Sequence, residues 1–347
     1  MDNFIKTLLI AWLMIMPSTQ CMQRVLQLGS PFQSTVQKAC LSKLDHKVTS
    51  GTVMSLAAIT NKHIHNNPEQ EKKELIYKPQ DKHHNITTIF AHGLYGDYRH
   101  GLAYHVDTKH PHVFPHAYIE GPLHVFDFDD AHDPKKSCLG QDADMARLHD
   151  VCKQNDQAIL EGSSRGAVAG LNYLGKYQPK NIRAAIFESP FDKLSTIVKH
   201  DAYFEFLELV LPYIPYKGFP NYNPYGIQPI DVVNKIDQNL PILFICSSQD
   251  TRIPAKSTIN IYKKLLESGH KNVYLLHVEH GEHATIMQGE DGPLVKHVVH
   301  AFLAHCNLAY NKSWAEAGQE RFKLCQPSLQ DFEAEQTQDI IENWCSC

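Results

Sequence analysis

Leu160-Glu161-Gly162-Ser163-Ser164-Arg165-Gly166 is the stretch on which the reading of this chain turns. It joins the apolar run Ala158 to Leu160 to a helical pattern from Gly166 to Tyr177. A Gly-x-Ser-x-Gly pentad between a strand and a helix puts its serine on a sharp turn with strained backbone angles and an exposed hydroxyl. Gly162 and Gly166 keep side chains out of that crowded turn. The small residues of Gly166-Ala167-Val168-Ala169-Gly170 suit close packing of helix on strand. The helix N-terminus aims positive partial charge at the hydroxyl.

A serine so placed needs an acid and a histidine from later strand ends, and candidates follow in that order. Pro241 to Cys246 is a continuous apolar run of strand length, and Asp250 lies just beyond it in Ser247-Ser248-Gln249-Asp250-Thr251-Arg252-Ile253-Pro254. Asn272 to Val278 reads as another strand, followed by Glu279-His280-Gly281-Glu282-His283-Ala284. Either histidine can reach the site. His283 is the favoured one, because Gly281 allows a tight turn after the strand and a helical stretch begins soon after, near Leu294. The order Ser, acid, His after successive strands argues for one site rather than three unrelated surface residues.

Upstream, Asn85 to Ala91 reads as a strand ending in His92-Gly93-Leu94-Tyr95-Gly96, whose glycines let backbone N–H groups face a cleft. The N–H groups of Leu94 and Arg165 are the candidate oxyanion donors. His92 is read as a structural residue of that loop rather than a base.

With these residues in view the chain resembles the α/β-hydrolase family. Within it, the chain is similar to dienelactone hydrolases, small esterases and the catalytic domains of prolyl-oligopeptidase-type enzymes. The resemblance runs from about Leu75 to His305 and is carried by His92-Gly93, the pentad around Ser164, Glu188-Ser189-Pro190, Asp250 to Pro254 and His283. It implies a Ser164-His283-Asp250 triad, an acyl-enzyme, and neither cofactor nor metal. The chain departs from the family beside the histidine, where Gly or Asn is common and Glu282 and Ala284 stand instead.

The remaining pattern fits an α/β fold, a mostly parallel, doubly wound sheet with a short helical cap insertion. Strands are expected at 123–128, 157–161 and 184–188 and helices at 142–153, 255–266 and 295–305. No internal repeat of propeller or solenoid period is present. The hydrolase domain is expected over 22–306, with a cap at about 191–239 and a polar, Cys-containing extension over 307–347. In the cap, Leu207, Val210, Leu211 and Ile214 recur at helical spacing. Tyr95, Phe204, Leu207 and Leu211 are the expected pocket residues above Ser164.

Residues 1–21 read as a signal peptide, with Lys6 before the apolar Thr7 to Met16, which implies a secreted or periplasmic protein, or a membrane-anchored one if the segment is retained. Nine Cys in an exported chain suggest disulfides, with Cys138–Cys152 and Cys325 to Cys345 or Cys347 as candidates by proximity; Cys246, inside an apolar run, reads as a free core thiol. A net charge of −5 gives no footprint for nucleic acid.

Twelve of the 22 His lie between His63 and His132. Asp107, His110, His112, His116, Asp127, Asp129 and Asp130 lack a recognised metal-site spacing, so no metal is expected. The expected activity is hydrolysis of a small-molecule ester, thioester or lipid-like substrate, with no stable partner. A serine peptidase and a catalytically silent binding protein are the alternatives, the latter requiring a missing or misplaced triad member.

Overall fold

Period-two alternation within nearly continuous apolar strands organises the whole sheet. In the strand Ile242–Ser247, Ile242, Phe244 and Cys246 enter one buried cluster while Leu243 and Ile245 enter another. Both faces are covered, so polar alternation is absent and the run reads as apolar throughout.

The computed structural model describes residues 74–77, 86–94, 96–99, 101, 121–129, 136–201 and 219–334. They belong to one compact unit formed by 73–200 and 219–347, apart from Asp201 at a helix end. Its strands are β1 (Glu74–Tyr77), β2 (Thr87–Ala91), β3 (Leu123–Phe126), β4 (Ala158–Ser163), β5 (Ile182–Glu188), β6 (Ile242–Ser247) and β7 (Val273–Val278). They form a sheet of order β1-β3-β2-β4-β5-β6-β7, with β1 antiparallel to β3 and every other pairing parallel. This is the α/β-hydrolase fold. The short β1 escaped the sequence pattern, its four residues being too few to show a period.

The helices are α1 (Asp142–Lys153), α2 (Arg165–Tyr177), α3 (Leu194–Asp201), α4 (Pro229–Val232), α5 (Ala255–Glu267), α6 (Gly292–His305), α7 (Lys312–Lys323) and α8 (Leu329–Ala334). One face of the sheet packs Met145, Leu148 and Val151 of α1, Ala167 and Leu171 of α2, and Ile261 and Leu265 of α5. The other packs Val295, Val298 and Phe302 of α6 with Phe322 of α7. Hence α7, in the polar stretch beyond 306, is part of the core layer. A Cβ on its Gly318 would lie 2.2 Å from the carbonyl oxygen of His297, so only glycine permits this approach of α7 to α6.

Two disulfide expectations meet the structure differently. Cys138 and Cys152 are free, buried thiols, which corrects their proposed pairing. Proximity in sequence misled, because Cys152 lies on the inner face of α1 beside Tyr173 whereas Cys138 lies near Asp144, in the loop before α1. Cys325 is also free, its thiol directed at the carbonyl of Arg321 at 3.4 Å, and Cys345 and Cys347 lie outside the described residues. Cys246 is a free core thiol as expected.

Candidate active site

Ser164 takes φ 54° and ψ −119°, a conformation forced by the turn from β4 into α2. Its amide donates to the Glu188 carbonyl at 2.8 Å, tying the turn to the end of β5. Gly162 and Gly166 are required sterically. A Cβ on Gly162 would stand 2.7 Å from the carbonyl carbon of Gly166, and one on Gly166 only 1.9 Å from the Ala91 oxygen.

Asp250 follows β6 and is buried. Its Oδ1 accepts the amides of Arg252 and Ile253 at 3.0 and 2.9 Å, and its Oδ2 lies 2.8 Å from Nδ1 of His283. Burial pushes this carboxyl up, but the hydrogen bond and charge of His283, the Ile253 amide and the nearby Ser189 hydroxyl outweigh it and hold it below the usual carboxylate value. An ionised Asp250 only accepts, so Nδ1 of His283 carries the proton and Nε2 is left as an acceptor. That Nε2 lies 2.8 Å from Oγ of Ser164.

His283, not His280, is the histidine in contact with both Asp250 and Ser164. His280 donates its amide to Asp291 at 2.7 Å and turns its ring toward Asp291 and Glu290, at 3.4 and 4.0 Å. Gly281, at φ 127°, makes the tight turn after β7. Ala284 adopts φ 58°, a left-handed angle that favours Gly or Asn, at one of the two positions where the chain departs from the family.

The loop after β2 abuts the serine, since a Cβ on Gly93 would lie 3.5 Å from the Cβ of Ser164. His92 braces it. Its Nε2 accepts the Phe128 amide at 3.2 Å, so its Nδ1 carries the proton and donates to the Gly93 carbonyl at 2.7 Å. At the start of α2, Arg165 directs its guanidinium inward to Asp144, with contacts of 2.7 and 2.6 Å. The sequence pattern carried no sign of Asp144, a helical acid spaced like any solvated one.

Beside the site, Leu139, Val168, Phe191, Ile197, Tyr222 and Ile253 form an apolar cluster against which Leu94 packs. Part of it comes from the flanks of the expected cap, and Gln141 holds the returning flank through the Asn223 amide and carbonyl, both at 2.8 Å. The expected pocket residues Tyr95, Phe204, Leu207 and Leu211 lie outside the described residues. So do Asp107, His110, His112, His116 and Asp130 of the His-rich region, while Asp127 accepts the Tyr98 amide at 2.6 Å.

A mostly parallel sheet with a serine on the turn after β4, hydrogen-bonded to a histidine that is itself held by a carboxylate, defines the class. The chain has the α/β-hydrolase fold, with Ser164, His283 and Asp250 joined by hydrogen bonds beyond the ends of its strands. Residues 143–308 match the prolyl oligopeptidase family, a stretch that contains Ser164, Asp250 and His283. The uncharacterized protein YqkD of Bacillus subtilis (strain 168) is 31% identical over 139 residues, 38% of this chain and 44% of that protein, so the match spans less than half of the relative's length. Among solved structures, the esterase Pf2001 of Pyrococcus furiosus is 17% identical, with 64% of this chain and 83% of that one covered and a TM-score of 0.46. A monoacylglycerol lipase of Paleococcus ferrophilus is 12% identical, with 62% and 91% covered and a TM-score of 0.42.

Proposed function

We infer that the chain hydrolyses a carboxylic ester or thioester through an acyl-enzyme on Ser164. The observation that carries this reading is the double hydrogen bond of His283, to Asp250 through Nδ1 and to Ser164 through Nε2. His283 takes the hydroxyl proton as Oγ attacks the carbonyl carbon, then gives it to the departing alcohol or thiol. Asp250 keeps the imidazole in the required tautomer and stabilises its protonated form. The N–H groups of Leu94 and Arg165 hold the negative oxygen of the tetrahedral intermediate. Water, deprotonated by His283, attacks the acyl carbon and releases the acid.

The apolar cluster around Leu139, Val168, Phe191 and Ile253 supports an ester with an aliphatic or aromatic acyl group. Peptide bond cleavage is the second reading, favoured by the match to the prolyl oligopeptidase family. The N-terminal 21 residues are proposed to export the protein, which N-terminal sequencing of the secreted form tests.

The activity is tested with a fluorophosphonate probe, mapping the modified peptide by mass spectrometry with Ser164→Ala in parallel, followed by ester, thioester and peptide substrates. Labelling confined to Ser164 and turnover of esters over peptides are expected. No labelling of the folded protein overturns the reading, and faster peptide turnover replaces it with the second.

A further inference from the structure

Arg165 and Asp144 form an ion pair whose side chains are 2% and 3% exposed. The contact is bidentate, Nε to Oδ2 at 2.7 Å and Nη2 to Oδ1 at 2.6 Å, and the Gly140 amide donates to the same Oδ2 at 2.7 Å. Burying two charges costs desolvation energy that their attraction often fails to exceed, so an apolar pair of similar volume would serve stability as well. What an apolar pair lacks is direction. The planar guanidinium and carboxylate fix one orientation, and the residue thus fixed is the first of α2, immediately after Ser164.

The orientation continues across the site. The Arg165 guanidinium lies 4.6 Å from the centre of the Phe128 ring, and that ring meets His92 edge-on with centroids 5.0 Å apart. The Phe128 amide fixes the His92 tautomer, and His92 Nδ1 holds the carbonyl of Gly93 at 2.7 Å. The Gly93 carbonyl and the Leu94 N–H belong to a single trans peptide, in which the two groups point in opposite directions. Holding the carbonyl toward His92 therefore aims the N–H of Leu94 the other way.

We propose that Asp144 and Arg165, linked through Phe128 to His92, form the positioning frame of the oxyanion site, setting the two N–H donors of Arg165 and Leu94 relative to each other. This rests on the acyl-transfer reading above. Asp144 is a positioning residue, since it acts through Arg165 rather than on the reacting atoms. Oxyanion donors act only when aimed at the oxygen of the transition state, and one lost donor costs about 10²- to 10³-fold in rate. Misaiming donors that remain present costs less, about 10- to 100-fold.

The experiment compares wild type with Asp144→Asn in turnover of p-nitrophenyl acetate and in inhibition by an aryl trifluoromethyl ketone. That ketone adds Ser164 Oγ to its carbonyl carbon, the serine proton passes to His283, and the hemiketal oxyanion sits where the intermediate's oxygen would. Asp144→Asn is expected to lower kcat about 10- to 100-fold with little change in KM, and to weaken the ketone by the same factor. The pH midpoint of kcat/KM is expected to stay where it is, because the His283–Asp250 contact is untouched.

Folded Asp144→Asn with kcat and ketone inhibition unchanged overturns the frame, as does a loss accompanied by a shifted pH midpoint. Where Asp144→Asn fails to fold, Phe128→Leu carries the test. It keeps both charges and removes the ring between them and His92, and the same parallel loss is expected, with unchanged kinetics overturning the proposal. Wild-type protein that neither labels nor turns over ester overturns the hydrolase reading itself, a result distinct from active wild type with an equally active variant.

Discussion

The missing side chain of Gly166 leaves room for the carbonyl of Ala91, whose oxygen would lie 1.9 Å from a Cβ at that position. The start of α2 is thereby pressed directly against the end of β2, which brings the loop after β2 beside Ser164. Gly166→Ala is expected to cost about 3 kcal/mol or more, since backbone rather than a flexible side chain blocks the added methyl. Urea unfolding measures it, and a cost under about 1 kcal/mol would mean that the elbow relaxes freely.

Asp250→Asn is expected to lower kcat about 10⁴-fold by presenting the wrong tautomer of His283 to Ser164. His280→Ala is expected to leave turnover close to wild type, because its ring faces Glu290 and Asp291. Steady-state kinetics on the two variants check the assignment, and a reversed order of effects would exchange the roles of the histidines.

At Ala284, φ 58° places a side chain where the backbone favours glycine. Ala284→Gly is expected to stabilise the protein by roughly 0.5–1 kcal/mol, the relief of the left-handed angle exceeding the added freedom of the unfolded chain. Thermal unfolding decides it. A lower melting temperature would show that the methyl group supplies packing that outweighs its strain.

Burial lowers the pKa of His270, against the opposing hydrogen bond and charge of Asp237, and also lowers His277, with Arg321 adding to the effect. A histidine whose folded value lies below its unfolded one contributes stability that is complete above the unfolded value, about pH 6.5, and is lost as pH falls through the folded value. Stability is therefore expected to decline on acidification below about pH 6.5, and His270→Leu to flatten that decline. Urea midpoints across this range test it, and an unchanged slope in the variant would remove His270 from the cause.

Burial also raises the thiols of Cys138 and Cys152, each to about 12. Iodoacetamide is expected to leave both unmodified in the native protein and to alkylate both after unfolding without reductant. Recovery of a disulfide-linked peptide containing the two would contradict the structure.

The placement of Ser164, Asp250 and Leu94 just beyond strand ends was legible in the sequence, because each sits where a local signal changes, from a period-two or continuous apolar run to turn residues. Chain order then supplied the relation among them. The parallel sheet followed from the same alternation of strand and helix. Tertiary structure decided everything that depends on where a side chain points after the chain has returned across many residues. It set the ring of His283 against Asp250 and Ser164 and that of His280 toward Asp291 and Glu290. It left Cys138 and Cys152 apart although only a short stretch separates them, and brought α7 into the core beyond the expected domain end. It also joined Asp144 to Arg165, two residues with no shared pattern. Periodicity reports which face of an element is buried, whereas the partner met on that face is set by long-range packing that spacing along the chain does not encode.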